Sequence, residues 1–168
     1  MRTVLILGAG FGGLELAACL SESLAGEVQV VLIDRNDAFT FGFSKMDILF
    51  HDQAPEAVRI PYADLTRPGV EFRREAVTSI DPHTRRVVTD RSEYQPDILV
   101  VALGADYDPA ATPGFVEDGH EYYSIDGACR LRERLESFTG GTVLLAILSV
   151  PFKCPPAPYE ARCSCTRS

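Results

Sequence analysis

The sequence lacks a surplus of positive charge. Its 168 residues include 16 Lys and Arg against 24 Asp and Glu, which gives a formal net charge of −8 at pH 7. Proteins that bind nucleic acids generally neutralise phosphates with an excess of Lys and Arg. We therefore expect no nucleic-acid partner, and small molecules are the favoured ligands.

The sequence also lacks a long apolar run near its start. The stretch after Met1 reaches a polar break already at Gly8, whereas a membrane-spanning helix needs about 20 apolar residues and a signal peptide has its own three-part pattern. We expect a cytoplasmic protein. Hydrophobic residues make up 46% of the chain, which is enough to form a real core.

Cysteine and histidine lack the spacing of a metal site or a disulfide framework. The five cysteines are an odd number at irregular intervals, and the three histidines are scattered. No zinc site and no secreted disulfide scaffold is expected. Each cysteine should have an individual role, and Cys19, close to a leucine stripe, is predicted to lie in the core. The other cysteines are Cys129, Cys154, Cys163 and Cys165.

What the chain does have is a strand, a helix and a second strand at its start. Residues 3–8 are β-branched and apolar, residues 12–24 repeat leucine every four positions, and residues 28–34 are again apolar. This pattern predicts a βαβ unit in a parallel sheet. The predicted fold class is therefore α/β, with a doubly wound Rossmann-like domain.

Further elements follow with less regular patterns. Residues 35–75 predict loops and a short helix, and the turn DPHT between residues 76–81 and 86–89 predicts a β-hairpin. Residues 97–104 predict a third buried strand. Asp126 is a candidate cap for a helix that ends near residue 138, and residues 140–149 (GGTVLLAILS) predict another buried strand.

The segment GAGFGG carries the clearest binding motif. It places Gly8, Gly10 and Gly13 in G-x-G-x-x-G spacing directly after a strand, and Asp34 ends the next strand. Glycines permit the tight turn, the approach of a pyrophosphate and close helix packing, while the helix N-terminus offers N–H groups to the anion. Asp34 would accept ribose hydroxyls and repel a 2′-phosphate, so the motif predicts NAD or FAD rather than NADP.

The chain resembles the two-dinucleotide-domain flavoproteins, the FAD-dependent pyridine nucleotide-disulfide oxidoreductase superfamily. The resemblance lies in the long irregular segment of residues 35–75, the hairpin after it and the returning strand VVALGA. The resemblance implies that FAD is the cofactor and that Gly104 and Ala105 return beside its pyrophosphate. It also implies that the backbone of Val77 touches the adenine. The full set of candidate cofactor residues is Gly8, Gly10, Phe11, Gly12, Gly13, Asp34, Arg35, Val77, Ala102 and Gly104.

The segment PFKCPPAPYEA resembles the corresponding part of the sulfide:quinone oxidoreductases and flavocytochrome c sulfide dehydrogenases. The resemblance implies that Cys154 is a catalytic cysteine, one of a redox pair beside the flavin. A small sulfur substrate would reduce the pair, and electrons would pass through FAD to a quinone or a cytochrome. The prolines lack N–H groups for a second phosphate loop, which disfavours direct NADH oxidation. In YYSID, Tyr123 stands where the quinone-reducing branch often has a cysteine.

The resemblance also predicts the domain organisation. Residues 1–108 would form the first part of an FAD-binding domain, and residues 109–161 would begin a second Rossmann-like domain. Residues 162–168 lack apolar periodicity and would be an atypical tail, so we expect an N-terminal fragment or a reading-frame change near residue 161. Membrane contact would then be peripheral and made by a later part. The alternatives are an NAD(H)-dependent dehydrogenase and a non-catalytic nucleotide-binding fragment.

Overall fold

The computed structural model of the chain describes residues 1–65 and 67–165. These residues form two compact units. The first unit comprises Met1–Phe39 and Ile60–Asp106, without residue 66, and the second comprises residues 40–59 together with the described residues from 107 onward.

Nine strands and five α-helices are found in the described residues. In chain order they are β1 (Arg2–Leu7), α1 (Phe11–Ser23), β2 (Val28–Asp34), β3 (Ala38–Thr40), α2 (Ser44–Phe50), β4 (Arg59–Pro61), β5 (Val70–Arg74), β6 (Val77–Asp81), β7 (Arg86–Thr89), β8 (Glu93–Tyr94), β9 (Ile98–Val101), α3 (Phe115–Asp118), α4 (Ile125–Glu136) and α5 (Ala157–Cys165). Short 3₁₀ helices occupy Pro55–Val58, Tyr62–Leu65 and Pro109–Ala111.

A four-stranded parallel sheet in the order β5-β2-β1-β9 forms the core of the first unit. The central strands β1 and β2 are almost continuously apolar, because both of their faces are covered. One face packs under α1 through Val4, Ile6, Val30 and Leu32. The predicted βαβ unit is confirmed, and α1 begins at Phe11, one residue before its predicted start.

Cys19 was predicted to be a core residue, and this prediction is wrong. The residue is exposed, and its thiol lies 3.8 Å from the carboxylate of Glu15. Residues four apart share one face of a helix. Because Glu15 faces solvent, Cys19 does so as well, while Gly13 and Ala17 form the buried face of α1.

Strand β5 lies in a region that the sequence assigns to loops and a short helix. It pairs with β2 from Val70↔Val30 to Arg74↔Asp34 at one edge of the sheet. Its sequence VEFRR buries only part of two apolar side chains, so charged residues alternate with them as in an edge strand. Because of these charged residues, the sequence pattern did not predict a strand here.

Strand β9 differs from its prediction as a buried strand. It pairs with β1 and forms the opposite edge of the sheet, with Ile98 44% exposed and Val101 59% exposed. Within the described residues, no further strand lies beyond it. An edge strand with one hydrogen-bonded neighbour keeps part of its apolar surface in solvent.

The predicted hairpin is confirmed as β6 and β7, which pair antiparallel from Val77↔Thr89 to Asp81↔Arg86. Strand β8 adds a third member to this ribbon by pairing with β7. Asp81 closes the turn by accepting N–H bonds from His83 and Thr84. A second small sheet joins β3 and β4.

Between residues 107 and 165 the second unit contains helices and no strand, and two predictions fail there. Residues 140–149 form no strand and are exposed, because no strand within 107–165 is available to pair with them. α4 is capped by Ser124 rather than Asp126, since the Ser124 hydroxyl accepts the N–H of Gly127 at 2.9 Å.

The segment from residue 162 continues α5 to Cys165, although it lacks apolar periodicity. Ala157 and Ala161 are four residues apart and form the buried face of this short helix. The predicted tail beyond residue 165 lies outside the described residues. Within the described part of the chain, no helix is both long and apolar enough to cross a membrane.

Candidate functional site

Gly8 forms the turn between β1 and α1. Its φ of +99° lies in a region that L side chains rarely adopt, and a Cβ there would lie 2.4 Å from the carbonyl oxygen of Ala102. The Gly8 N–H donates to Ile33 O at 2.7 Å, and the Ala102 N–H donates to Leu7 O at 2.8 Å. Backbone from three strands therefore meets at this glycine.

Gly13 allows α1 to pack directly on the same turn. A Cβ on Gly13 would lie 1.8 Å from the carbonyl oxygen of Gly8, which no real structure accommodates. The third glycine of the motif is thus required for contact between helix and turn.

Gly10 and Gly12, in contrast, face open space. No atom lies within 4 Å of a Cβ built on either residue. Gly10 is the N-cap of α1, and no side chain caps this helix end. The first intrahelical hydrogen bond runs from Leu14 N–H to Gly10 O at 2.9 Å. The N–H groups of residues 11–13 precede it in the first turn and point out of the N-terminal end of the helix, because an α-helix supplies them no carbonyl of its own.

Asp34 lies beside this turn at the end of β2. Its Oδ2 accepts the N–H of Ala9 at 2.8 Å, and its Oδ1 accepts the backbone N–H of Asn36 at 2.8 Å and the Asn36 amide at 3.0 Å. A carboxylate offers about four acceptor sites and three of them are used, so Asp34 can still accept a ribose hydroxyl. The same bonds fix its direction toward the glycine turn.

Tyr62 packs against the glycine turn, and this contact was not predicted from the sequence. Its hydroxyl donates to Ala9 O at 3.0 Å, and its ring packs on Phe72 with ring centroids 4.7 Å apart. Burial, followed by the charges of Asp34 and Asp37, raises the pKa of Tyr62 above its ordinary value. The hydroxyl therefore remains a donor across the physiological pH range. No local motif marks this residue.

Four other candidate cofactor residues also belong to the first unit. Phe11 is exposed, and its ring makes an edge contact with Phe39 at 5.1 Å. Arg35 follows Asp34, is exposed, and pairs with Asp106 at 3.6 Å. Val77 begins β6 and packs against the second core cluster of the sheet, and Gly104 follows β9 with a φ of +71°.

The described residues fit a dinucleotide diphosphate at the start of α1. Open space beside Gly10 and Gly12 leaves room for a pyrophosphate, and the uncapped helix end directs N–H groups toward it. Asp34 supplies the carboxylate that a ribose needs. We call the open space beside Gly10 and Gly12, together with the Asp34 carboxylate, the cradle. Side chains on the two glycines would fill it.

Cys154 lies in the second unit, apart in sequence from the residues of the cradle. It is half-buried and has a φ of +55°, a conformation that costs energy for any residue with a side chain. Strained backbone of this kind concentrates at functional sites.

Aromatic side chains surround the segment of Cys154. The hydroxyl of Tyr123 donates to Lys153 O at 2.8 Å, and the Lys153 ammonium lies 4.6 Å from the ring centroid of Tyr107. Burial raises the pKa of Tyr122 to about 12, and the charges of Tyr123, Cys165 and Cys154 act in the same direction. Tyr123, which stands where a family cysteine is often found, thus holds the backbone next to Cys154.

The N-terminus of α5 contrasts with that of α1. Pro156 and Pro158 have no N–H. The N–H of Ala157 donates to Cys154 O at 2.9 Å, and the N–H of Tyr159 donates to Pro156 O at 3.0 Å. Few donors therefore remain at this helix end for a second pyrophosphate.

Comparisons with known proteins agree with this geometry. Residues 2–144 match the family model described as pyridine nucleotide-disulphide oxidoreductase. A NADH dehydrogenase-like protein of Mycobacterium tuberculosis is 32% identical over 158 residues, which cover 89% of this chain and 38% of that protein. A type II NADH:quinone oxidoreductase of Staphylococcus saprophyticus is 30% identical over 144 residues, covering 80% of this chain and 34% of that protein.

Among solved structures, the sulfide:quinone oxidoreductase of Aquifex aeolicus superposes with a TM-score of 0.69. The match covers 81% of this chain and 32% of that chain at 22% identity, which shows the fold alone. The predicted α/β Rossmann-like class and the predicted superfamily resemblance are confirmed. The chain spans 38% of the length of its mycobacterial relative.

Proposed function

Because the chain belongs to the pyridine nucleotide-disulphide oxidoreductase family, we propose that it binds FAD and serves an oxidoreductase that delivers electrons to a quinone. Proteins of this family bind FAD. The observation that carries the proposal is the open cradle of Gly10 and Gly12 beside the carboxylate of Asp34. Related proteins named for quinone reduction support the acceptor class.

In this proposal, each candidate residue has a distinct task. The first-turn N–H groups of α1 bind the diphosphate, and Asp34 accepts a hydrogen bond from a hydroxyl of the adenosine ribose. Gly8 and Gly13 bring strand, turn and helix together. FAD supplies a two-electron carrier when bound, and the first unit of this chain orients its adenosine half.

The cradle is tested by filling it. Gly10→Val places a side chain in the open space without a clash against protein, so the variant should fold and bind FAD at least about tenfold more weakly, because the side chain occupies the diphosphate position. The measurement is FAD titration followed by flavin fluorescence. Ala25→Val enlarges an exposed side chain just beyond the opposite end of α1 and should bind as wild type.

Wild-type protein that binds no FAD in this titration would contradict the proposal. So would a Gly10→Val variant with unchanged affinity. Circular dichroism confirms that each variant is folded before binding is measured.

For the electron donor, we propose a small sulfur compound that reacts through Cys154. The support is the resemblance of PFKCPPAPYEA to sulfide-oxidising flavoproteins, together with the strained backbone of Cys154 and the tyrosines that hold its segment. A quinone is the preferred acceptor, with a cytochrome as the other. Since quinones reside in lipid, the protein would work at a membrane surface, with its catalytic part on the cytoplasmic side.

NADH is the second candidate donor. Relatives named for NADH at 30–32% identity favour it. The scarcity of N–H donors at the start of α5 argues against a second dinucleotide there. The two candidates differ in whether Cys154 is needed.

Anaerobic mixing of the FAD-loaded protein with each donor distinguishes them. With FAD as the two-electron oxidant, sulfide sulfur would join the Cys154 sulfur as a persulfide: Cys154–S⁻ + HS⁻ + FAD → Cys154–S–S⁻ + FADH⁻. We expect sulfide to bleach the flavin absorbance in wild type and Cys154→Ser to lose at least about 100-fold in rate, because serine has no sulfur with which to form this bond. Cys129→Ser is the matched control and should react as wild type. Rapid bleaching by NADH that is independent of Cys154 would instead establish the second candidate.

A further inference from the structure

Glu75, between β5 and β6, is a buried carboxylate that the proposed function does not yet use. It is 7% exposed. Its two oxygens accept hydrogen bonds from the hydroxyls of Thr89 at 2.6 Å, Ser92 at 3.2 Å and Tyr94 at 3.0 Å to each oxygen. A buried carboxylate is tolerated because such donors replace the water that it loses.

All three hydroxyls come from the end of β7, the following turn and β8. The Glu75 carboxylate therefore connects the antiparallel sheet of β6, β7 and β8, here called the ribbon, to the end of β5 in the parallel sheet. The ribbon has a second tie at the next residue, where the Ala76 N–H donates to the Asp90 carboxylate at 2.8 Å and the Asp90 N–H donates to Ala76 O at 2.9 Å.

The backbone of Glu75 points the other way. Its N–H donates to the carbonyl oxygen of Asp34 at 2.9 Å, and Val77 follows two residues later. Asp34 is the proposed ribose contact, and Val77 is the candidate adenine contact. Glu75 thus bonds to Asp34 through its backbone, and its side chain holds β6, the strand of Val77, in place.

We propose that Glu75 is a positioning residue for the adenosine end of the dinucleotide site. This inference rests on the proposed FAD binding and adds a residue to it. Glu75 does not touch the nucleotide, because its oxygens are buried and occupied by hydroxyls. It acts by holding the start of β6 at a fixed distance from the end of β2, so that ribose and adenine are recognised together.

The test uses Glu75→Gln, which keeps the shape of the side chain and replaces one acceptor oxygen with a donor. Only one of the two side-chain oxygens then remains to accept, so the three hydroxyls can no longer all keep their present hydrogen bonds. We expect ADP and FAD to bind about tenfold more weakly and by the same factor, since the loss of charge-assisted hydrogen bonds has an effect of this order. Both dissociation constants are measured at a temperature where circular dichroism shows every variant to be folded.

Glu93→Gln is the matched control. Glu93 lies on β8 of the same ribbon, but its carboxylate is exposed and pairs with Arg86 on the surface. This variant should bind ADP and FAD as wild type. Tyr94→Phe is a milder second variant, which removes a single hydroxyl from the network and should weaken both ligands by about threefold.

The outcomes separate the inference from the proposed function. Glu75→Gln or Tyr94→Phe with unchanged affinity for both ligands and a lower unfolding temperature would overturn the inference, because the role would then be structural only. Weaker FAD binding with unchanged ADP binding would also overturn it. Wild type that binds neither ligand would overturn the proposed function and the inference with it.

Discussion

At the scale of single residues, two adjacent glycines of α1 have opposite surroundings. A Cβ on Gly12 meets no atom within 4 Å, whereas a Cβ on Gly13 would lie 1.8 Å from Gly8 O. Gly13→Ala should therefore lower the free energy of unfolding by about 3 kcal/mol, because the helix must move away from the turn. Urea denaturation followed by circular dichroism measures this change.

Gly12→Ala is the control on the same helix. It should change the free energy of unfolding by less than about 1 kcal/mol, in the stabilising direction, since alanine favours helix and meets no obstacle. Equal effects of the two substitutions would show that the contact between Gly13 and the turn is not formed.

Single residues also show where sequence reasoning stops. The glycine spacing and Asp34 could be recognised because a local motif has a known physical purpose. Tyr62 and Glu75 could not, because their partners lie far away in the chain: Tyr62 bonds to Ala9, and Glu75 bonds to Thr89 and Tyr94. Cys19 was assigned to the core from nearby leucines, whereas its side chain follows Glu15 to the surface.

At the scale of elements, the start of α4 offers a clean test of capping. Ser124 accepts the N–H of Gly127 and is itself bonded to the Glu121 carboxylate. Ser124→Ala should cost about 1 kcal/mol in the free energy of unfolding, because N–H groups of the first turn lose their acceptor. Thermal unfolding followed at 222 nm measures the loss.

Ser137→Ala, at the other end of α4, is the comparison. Ser137 donates to Arg134 O within its own helix end, and its replacement should cost less than about 0.5 kcal/mol. A loss as large as that of Ser124→Ala would mean that the N-terminal cap has no special weight.

The elements that could be predicted are those with a complete local pattern. β1, α1 and β2 follow from buried apolar runs and helical spacing, and the hairpin of β6 and β7 follows from its turn. β5 escaped prediction because its charged residues suit an edge position. Residues 140–149 have the composition of a buried strand but no strand to pair with among residues 107–165. Strand formation depends on neighbours that a local pattern does not contain.

At the scale of the whole molecule, the sequence predicted the α/β class and the superfamily, both confirmed by the match over residues 2–144. The candidate site was predictable where one unit contains all of its parts, since glycine turn, helix and carboxylate lie within residues 8–34. The proposed division at residues 108 and 161 stays a prediction, as does the role of Cys154. Both depend on parts of the fold that lie far apart along the chain.

The carboxylate of Asp34 serves the protein before it serves any ligand. Because it already anchors Ala9 and Asn36, the diphosphate would meet a loop that is rigid in advance, and little ordering entropy remains to be lost on binding. Replacement of this acid would therefore release Ala9 and Asn36 as well as remove a proposed ribose contact. A fall in nucleotide affinity of such a variant would combine both effects.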